Sequence, residues 1–236
     1  MILAAMSLCR RELVRFFRQR SRVMGALGTP VVFWLLIGSG FDYLDYLFPG
    51  TVIQILLFAS IFSTISIIQD RNEGFLQGVL VAPVPRAAIV LGKVLGGTAI
   101  ALVQGLVFLA LAPLVGIKPS FLQVLAAAGV MTMVAFGLTS LGVLLAWRFD
   151  SVQGFHGVMN LLLFPMWLLS GALFRPEKAI AWVRGAMIVD PLSYGLSALR
   201  TALGGQGGTI SLPLSLGVTA AFGAVMFLLA AATARR

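Results

Sequence analysis

Six stretches of the chain run without a single Asp, Glu, Lys or Arg: residues 23–41, 47–69, 94–117, 119–147, 151–174 and 201–234. A helix needs about 20 apolar residues to cross a bilayer, so each stretch is long enough to span one. The last exceeds a single span, and its GGQGGT opening predicts a turn before a helix near 210–232. Outside these blocks the pattern becomes amphipathic. In MILAAMSLCRRELVRFFRQRSR, residues 1–22, helical spacing gathers Arg11, Arg15, Arg18 and Arg22 on one narrow face. Ile2, Met6, Cys9, Leu13, Phe16 and Phe17 lie opposite, the pattern of a helix resting in the membrane interface. In DRNEGFLQGVLVAPVPRAAIVLGK, residues 70–93, Asp70 and Arg71 close the second block at an expected water boundary. A short helix from about Glu73 then carries Phe75, Leu76, Val79 and Leu80 as an apolar stripe, until Pro83 and Pro85 break it. After the fifth block, PMWLLSGALFRPEKAIAWVRGAMIVDPLSYGLSALR alternates short apolar pieces with Arg-Pro-Glu-Lys, Arg-Gly and Asp-Pro. Pieces too short to cross predict re-entrant or interfacial half-helices, which survive at membrane depth only around a protein-covered or water-filled space.

The pattern therefore predicts an all-α polytopic membrane protein, a single domain over residues 1–236. It has six transmembrane helices, an N-terminal amphipathic interfacial helix (1–22), a helix-bearing segment at 70–93 and half-helices at 175–200. Composition strengthens the membrane assignment: 59% of residues are hydrophobic, 11% are charged and the mean hydropathy is +1.01, where a soluble domain carries about 25% charge. The net charge of +9 could point to nucleic acid, but its distribution points to a bilayer instead. If the spans alternate from a cytoplasmic N-terminus, one side receives the six arginines of residues 1–22 with Arg71, Arg86, Lys93, Arg148, Arg235 and Arg236. The other receives only Lys118, Arg175, Lys178, Arg184 and Arg200, and FDYLDYLFPG holds two Asp and no base. By the positive-inside rule both termini belong in the cytoplasm. The early apolar stretch is brief and precedes its arginines, which is unlike a cleavable signal peptide.

Catalytic chemistry is missing from the pattern. The block interiors hold no ionisable side chain except His156, whose neighbour one turn on is Asn160, and that pair reads as a structural bond between helices. Gln54, Gln104, Gln123, Thr132 and Thr139 read as polar glue between spans. One His and one Cys, Cys9, supply neither a metal cluster, a disulfide nor a Ser-His-Asp set. Leu91-Gly92-Lys93-Val94 lacks the upstream Gly and the hydroxyl of a phosphate-binding loop, so the chain has no ATPase motif of its own. The stripe Phe75, Leu76, Val79 and Leu80 has two readings: a helix lying on headgroups, or one inserting into a groove of another protein. An ATP-independent channel or a structural membrane subunit is the alternative function, and its expected sign is a polar face running through several spans.

Three motifs in order resemble the permease subunits of type 2 ATP-binding-cassette exporters. YLDYLFPG (43–50) is similar to that family's Tyr-rich entry ending in Pro-Gly before the second span. In 70–93, Asp70, Arg71, Glu73, Gly74, Leu76, Leu80, Pro83, Arg86, Gly92 and Lys93 fill the family's places, with Phe75 standing where Thr or Leu is common. In PLSYGLSALR, Pro191, Tyr194 and Arg200 match the family's Pro-Leu-x-Tyr-x5-Arg ending, preceded by Leu169-Ser170-Gly171. The resemblance implies that residues 72–82 form a cytoplasmic coupling helix seated in a separate ATPase subunit, with Arg71, Glu73, Gly74, Phe75, Leu76, Val79, Leu80 and Pro83 as the coupling residues. It implies two ATPase copies carrying ATP and Mg, a second permease copy or sibling, and no cofactor on this chain. The apolar spans, with Phe33, Trp34, Phe58, Phe62, Phe136, Phe164 and Trp167, suit an amphiphilic drug, lipid or glycan-type cargo, and read equally as ordinary lipid-facing residues. The short connections look like those of drug- or lipo-oligosaccharide-exporting members, in the cell's inner membrane.

Overall fold

The computed structural model describes residues 2–18, 28, 30–36, 38, 44–75, 78, 84–173, 179–205 and 210–234. Every regular element among them is helical. They are α1 (Ile2–Arg18), α2 (Leu44–Ser63), α3 (Ile65–Asn72), α4 (Arg86–Leu109), α5 (Phe121–Ala146), α6 (Val152–Trp167), α7 (Ala181–Val189), α8 (Pro191–Ala202) and α9 (Leu212–Thr233). A 3-10 turn at Ala112–Val115 follows α4, and a π turn at Leu168–Ala172 extends α6.

Five helical runs are long and apolar enough to cross a membrane: Leu44–Asn72, Arg86–Leu109, Phe121–Ala146, Val152–Ala172 and Leu212–Thr233. The expected span at 23–41 is represented by helical residues 30–36, and most of the remainder lies outside the described residues. So do Arg22, Leu76, Val79, Leu80 and Pro83. Within the segment 175–200, expected to form re-entrant or interfacial half-helices, lie two short helices, α7 and α8, which begin at Ala181 and Pro191.

The run Leu44–Asn72 is the axis of the bundle, 89% buried in its apolar window against 28% for α9. It touches α4, α5, α6, the π turn and α8. The run is not one straight helix. Ser63 and Thr64 donate their hydroxyls to the carbonyls of Ser60 and Ile61, each 2.6 Å away. Such back-bonds compete with the helical ladder and bend it, and the turn at Thr64 separates α2 from α3.

Other polar residues of the spans also bond locally. Thr132 and Thr139 donate to Ala128 and Ala135 on their own helix. Gln123 forms a reciprocal capping box with Ser120 at the start of α5. The glue between spans expected of these three residues is thus replaced by close backbone approach, the usual means of holding helices together where lipid is as apolar as Leu. A Cβ at Gly92 would lie 2.8 Å from the Ala5 carbonyl oxygen, and one at Gly96 would lie 2.8 Å from the Glu12 Cβ. Without side chains at those two positions α1 lies directly on α4.

Aromatic rings fill the end of the bundle away from α1, called the far end below. Phe48 stacks on Phe108 at 4.9 Å, and Trp34 meets both rings edge-on. Trp34 and Trp167 are buried, and they donate their indole N–H to the carbonyls of Leu44 and Gly50. Both are core residues, so of the seven aromatics suited to cargo these two face protein.

Candidate functional site

Two polar constellations stand out, one at each end of the bundle. The first forms where α1, α3 and α4 meet. Asp70, on the last turn of α3, has no exposed surface. Its carboxylate accepts from Arg11 Nη1 (2.8 Å), Arg11 Nη2 (2.7 Å), Arg15 Nη1 (2.7 Å) and Lys93 Nζ. Lys93 also donates to Glu12 Oε1 (2.6 Å) and Ser66 Oγ (3.3 Å), which uses all three of its protons. Arg15 reaches on to Gln69 (3.1 Å) and Glu73 (3.5 Å). A buried carboxylate or ammonium is tolerated only when its partners satisfy it in full, and here both are satisfied. The Asp70 carboxylate also holds the Arg11 guanidinium above its ordinary range, while burial pushes the Cys9 thiol up.

The sequence reading places Asp70 at a water boundary and the arginines of α1 on an open face. The structure buries Asp70 and turns Arg11 and Arg15 onto it. Arg18 stays exposed. The cause is Glu12, the one acid on the stripe Ala5, Leu8, Cys9 and Phe16 that packs against α4. Once Glu12 meets Lys93, the neighbouring turn of α1 carries Arg11 and Arg15 to α3. That lone carboxylate among apolar residues was the signal in the sequence for the cluster.

Arg71 points the other way. It donates to the carbonyls of Ala146 (2.8 Å), Trp147 (3.3 Å) and Phe149 (2.7 Å) and to Asp150 Oδ1 (3.4 Å). These carbonyls end α5, whose last turn has no helical N–H to serve them. Arg71 therefore caps α5 from a neighbouring helix. Arg86 ties the start of α4 to the Ala234 carbonyl at the end of α9 in the same manner. Immediately after this double anchor, Gly74 takes φ +76°, a left-handed conformation that ends the helix and redirects the chain. Phe75 follows, half-exposed, with Arg11 over its ring at 3.7 Å.

The second constellation closes the far end. Arg200 and Tyr46 both donate to the Gly171 carbonyl, at 3.0 and 3.1 Å, and the Arg200 guanidinium lies 4.2 Å from the Tyr46 ring centroid. Gly171 has φ +84° in the π turn, a shape that aims its carbonyl at both donors. Arg200 thus bonds the end of α6. Asp190 caps α8 by accepting from Leu192 N at 3.0 Å. Pro191 occupies the first position of α8, where its missing N–H costs nothing. Tyr194 donates to the Ile188 carbonyl at 2.9 Å, which fixes the α7–α8 corner. His156 lies against the Phe62 ring at 5.2 Å. Among the described residues no group of His, Cys, Asp and Glu could hold a metal ion.

The family model for the ABC-2 type transporter matches residues 4–203. The chain is 24% identical over 204 residues to the daunorubicin resistance ABC transporter permease protein DrrB1 of Streptomyces coeruleorubidus, covering 83% of this chain and 71% of that protein. It is 22% identical over 207 residues to the putative transport permease ycf38 of Cyanophora paradoxa, covering 82% and 71%. It is 24% identical over 226 residues to nodulation protein J of Rhizobium leguminosarum bv. viciae, covering 91% and 86%.

Proposed function

The chain belongs to the ABC-2 type transporter family, and from that premise we propose that it is the permease subunit of an ATP-driven exporter. A separate ATPase subunit, in two copies, carries ATP and Mg, and a second permease copy or a sibling completes the export path. The end of the bundle that carries α1 faces the cytoplasm, as the distribution of Lys and Arg favours. Residues 72–82 are the coupling helix, with Phe75, Leu76, Val79 and Leu80 as its anchors in the ATPase. The cargo is an amphiphile of drug, lipid or glycan type, a reading supported by a relative named for daunorubicin resistance.

One observation carries the coupling role. Asp70 and Arg71 are adjacent, yet they bond α1 and α4 on one side and α5 on the other, directly before the segment 72–82. A push on that segment reaches four helices through two residues. The test is co-purification with the cognate ATPase followed by ATP turnover and transport. Phe75→Asp leaves the permease folded and abolishes association or stimulated turnover, because a carboxylate cannot enter an apolar groove without a partner. Wild-type association and turnover in that variant would remove the segment from the coupling path.

A further inference from the structure

At the far end a cavity of about 350 Å³ opens between the start of α2, the residues after the 3-10 turn and the end of α8, lined by Asp45, Tyr46, Lys118, Arg200, Gly204 and Gly205 among others. Arg200 is 6% exposed. Of its guanidinium N–H groups only one, on Nη2, meets a protein acceptor among the described residues, the Gly171 carbonyl. An arginine cannot shed its proton, and a buried guanidinium without a carboxylate is costly. Stacking on Tyr46 offsets part of that cost, and among the described residues no further acceptor takes the remaining donors. Lys118 stands exposed at the rim with no partner among the described residues, and Asp45 is the single acid among the described residues of the lining. Among the described residues of the lining, Arg200 and Lys118 outnumber Asp45 by one charge. Gly204 (φ +79°) and Gly205 form a wall without side chains beside the guanidinium.

We propose that this cavity binds the phosphate or carboxylate head group of an amphiphile, with Arg200 and Lys118 as its cationic ligands. A two-oxygen anion matches the planar donors of an arginine better than any neutral group does. The tail has apolar lining to meet in Pro49, Ile117 and Leu203, and Leu114 and Phe121, on either side of Lys118 in the chain, are 77% and 85% exposed. As a station for exported cargo the site rests on the transport reading, whereas as an anion site it does not. Binding is therefore measured on the permease alone, without ATPase or ATP, so failure here leaves the coupling test untouched.

The probe is radiolabelled dodecyl phosphate, titrated onto the full-length chain in neutral detergent. One site per chain is expected. Arg200→Gln is expected to weaken binding roughly 10- to 100-fold, the range for a lost charge-assisted hydrogen bond. Lys118→Gln, which disturbs no bond among the described residues, is expected to weaken it about fivefold, as for an exposed charge pair. A second readout needs neither variant: in Cys9→Ser/Asp45→Cys, dodecyl phosphate slows alkylation of the introduced thiol. Dodecyltrimethylammonium and inorganic phosphate at equal concentration do not. Equal protection by the cationic amphiphile, or unchanged affinity in Lys118→Gln with no thiol protection, overturns the anion site. Equal protection by inorganic phosphate overturns the amphiphile and leaves a site for a free oxyanion.

Discussion

Asp70 accepts four hydrogen bonds from three cations, so its removal strands charge on every side. Asp70→Asn keeps the shape and loses the charge, leaving Lys93 with Glu12 and the neutral Ser66 hydroxyl, and Arg11 and Arg15 short of a buried carboxylate. A broken buried pair costs about 3–5 kcal/mol, and a loss of that order is expected in denaturation of the purified protein. Lys93→Met in the same chain removes one stranded cation, so the double variant is expected to lose less than the two single variants combined, with a coupling of about 1–3 kcal/mol. Additive losses would mean that the two side chains do not share an energetic unit. Sequence gave little warning at this scale. Charge and hydropathy mark Asp70 and Lys93 as the ends of apolar blocks, and an end reads as a water boundary. Their burial depends on α1 folding across them, a contact 59 residues away in the chain for Arg11 and Asp70.

At the scale of elements, periodicity and breakers were more informative. The amphipathic pattern of residues 1–22 contains α1 (Ile2–Arg18), five of the six charge-free blocks coincide with long helices, and Asp190 and Pro191 are the N-cap and first residue of α8. The face of α1 that packs was misjudged, since the arginines outnumber Glu12 and dominate the pattern. The seat is made by Gly92 and Gly96, and Gly96→Val is expected to lift α1 from α4 because its Cβ would meet the Glu12 side chain. Alkylation of Cys9, whose backbone faces the same glycine, checks this, and a faster rate is expected in the variant. Asp190 supplies a second element-level test. Burial pushes its carboxyl up to about 7, above its value of 3.8 in the unfolded chain. The folded protein therefore keeps a proton that the unfolded chain gives up, and stability falls as pH rises from about 4 to about 7. Asp190→Asn retains the cap and does not titrate. The gap between wild type and variant in thermal unfolding is expected to change between pH 5 and pH 8, with the wild type losing more.

For the whole molecule, the anchors at Asp70, Arg71 and Arg86 join the ends of α1, α3, α4, α5 and α9 on one side of the bundle. If the coupling reading holds, that side moves as one body when ATP binds to the partner. Spin labels at Ser7 and Arg148, both exposed, are expected to give a narrow distance distribution that stays fixed on adding the ATPase with ATP. A shift of several ångströms between them would show that α1 and the end of α5 move separately. The family was legible from motif order alone, because short motifs tied to turns and helix ends keep their spacing when the lipid-facing residues between them drift. The far-end cavity was not, since it needs Asp45, Lys118 and Arg200 brought together from three separate parts of the chain.

The buried cluster also bears on how the chain is made. Synthesis runs from the N-terminus, so Arg11 and Arg15 leave the ribosome before Asp70, and Lys93 follows last. When the second span enters the bilayer its terminal carboxylate already has two guanidinium groups at hand on the membrane surface. The late-arriving lysine finds both acids waiting. The order of residues along the chain is thus also an order of neutralisation, in which each newly inserted charge meets its counterpart already in place.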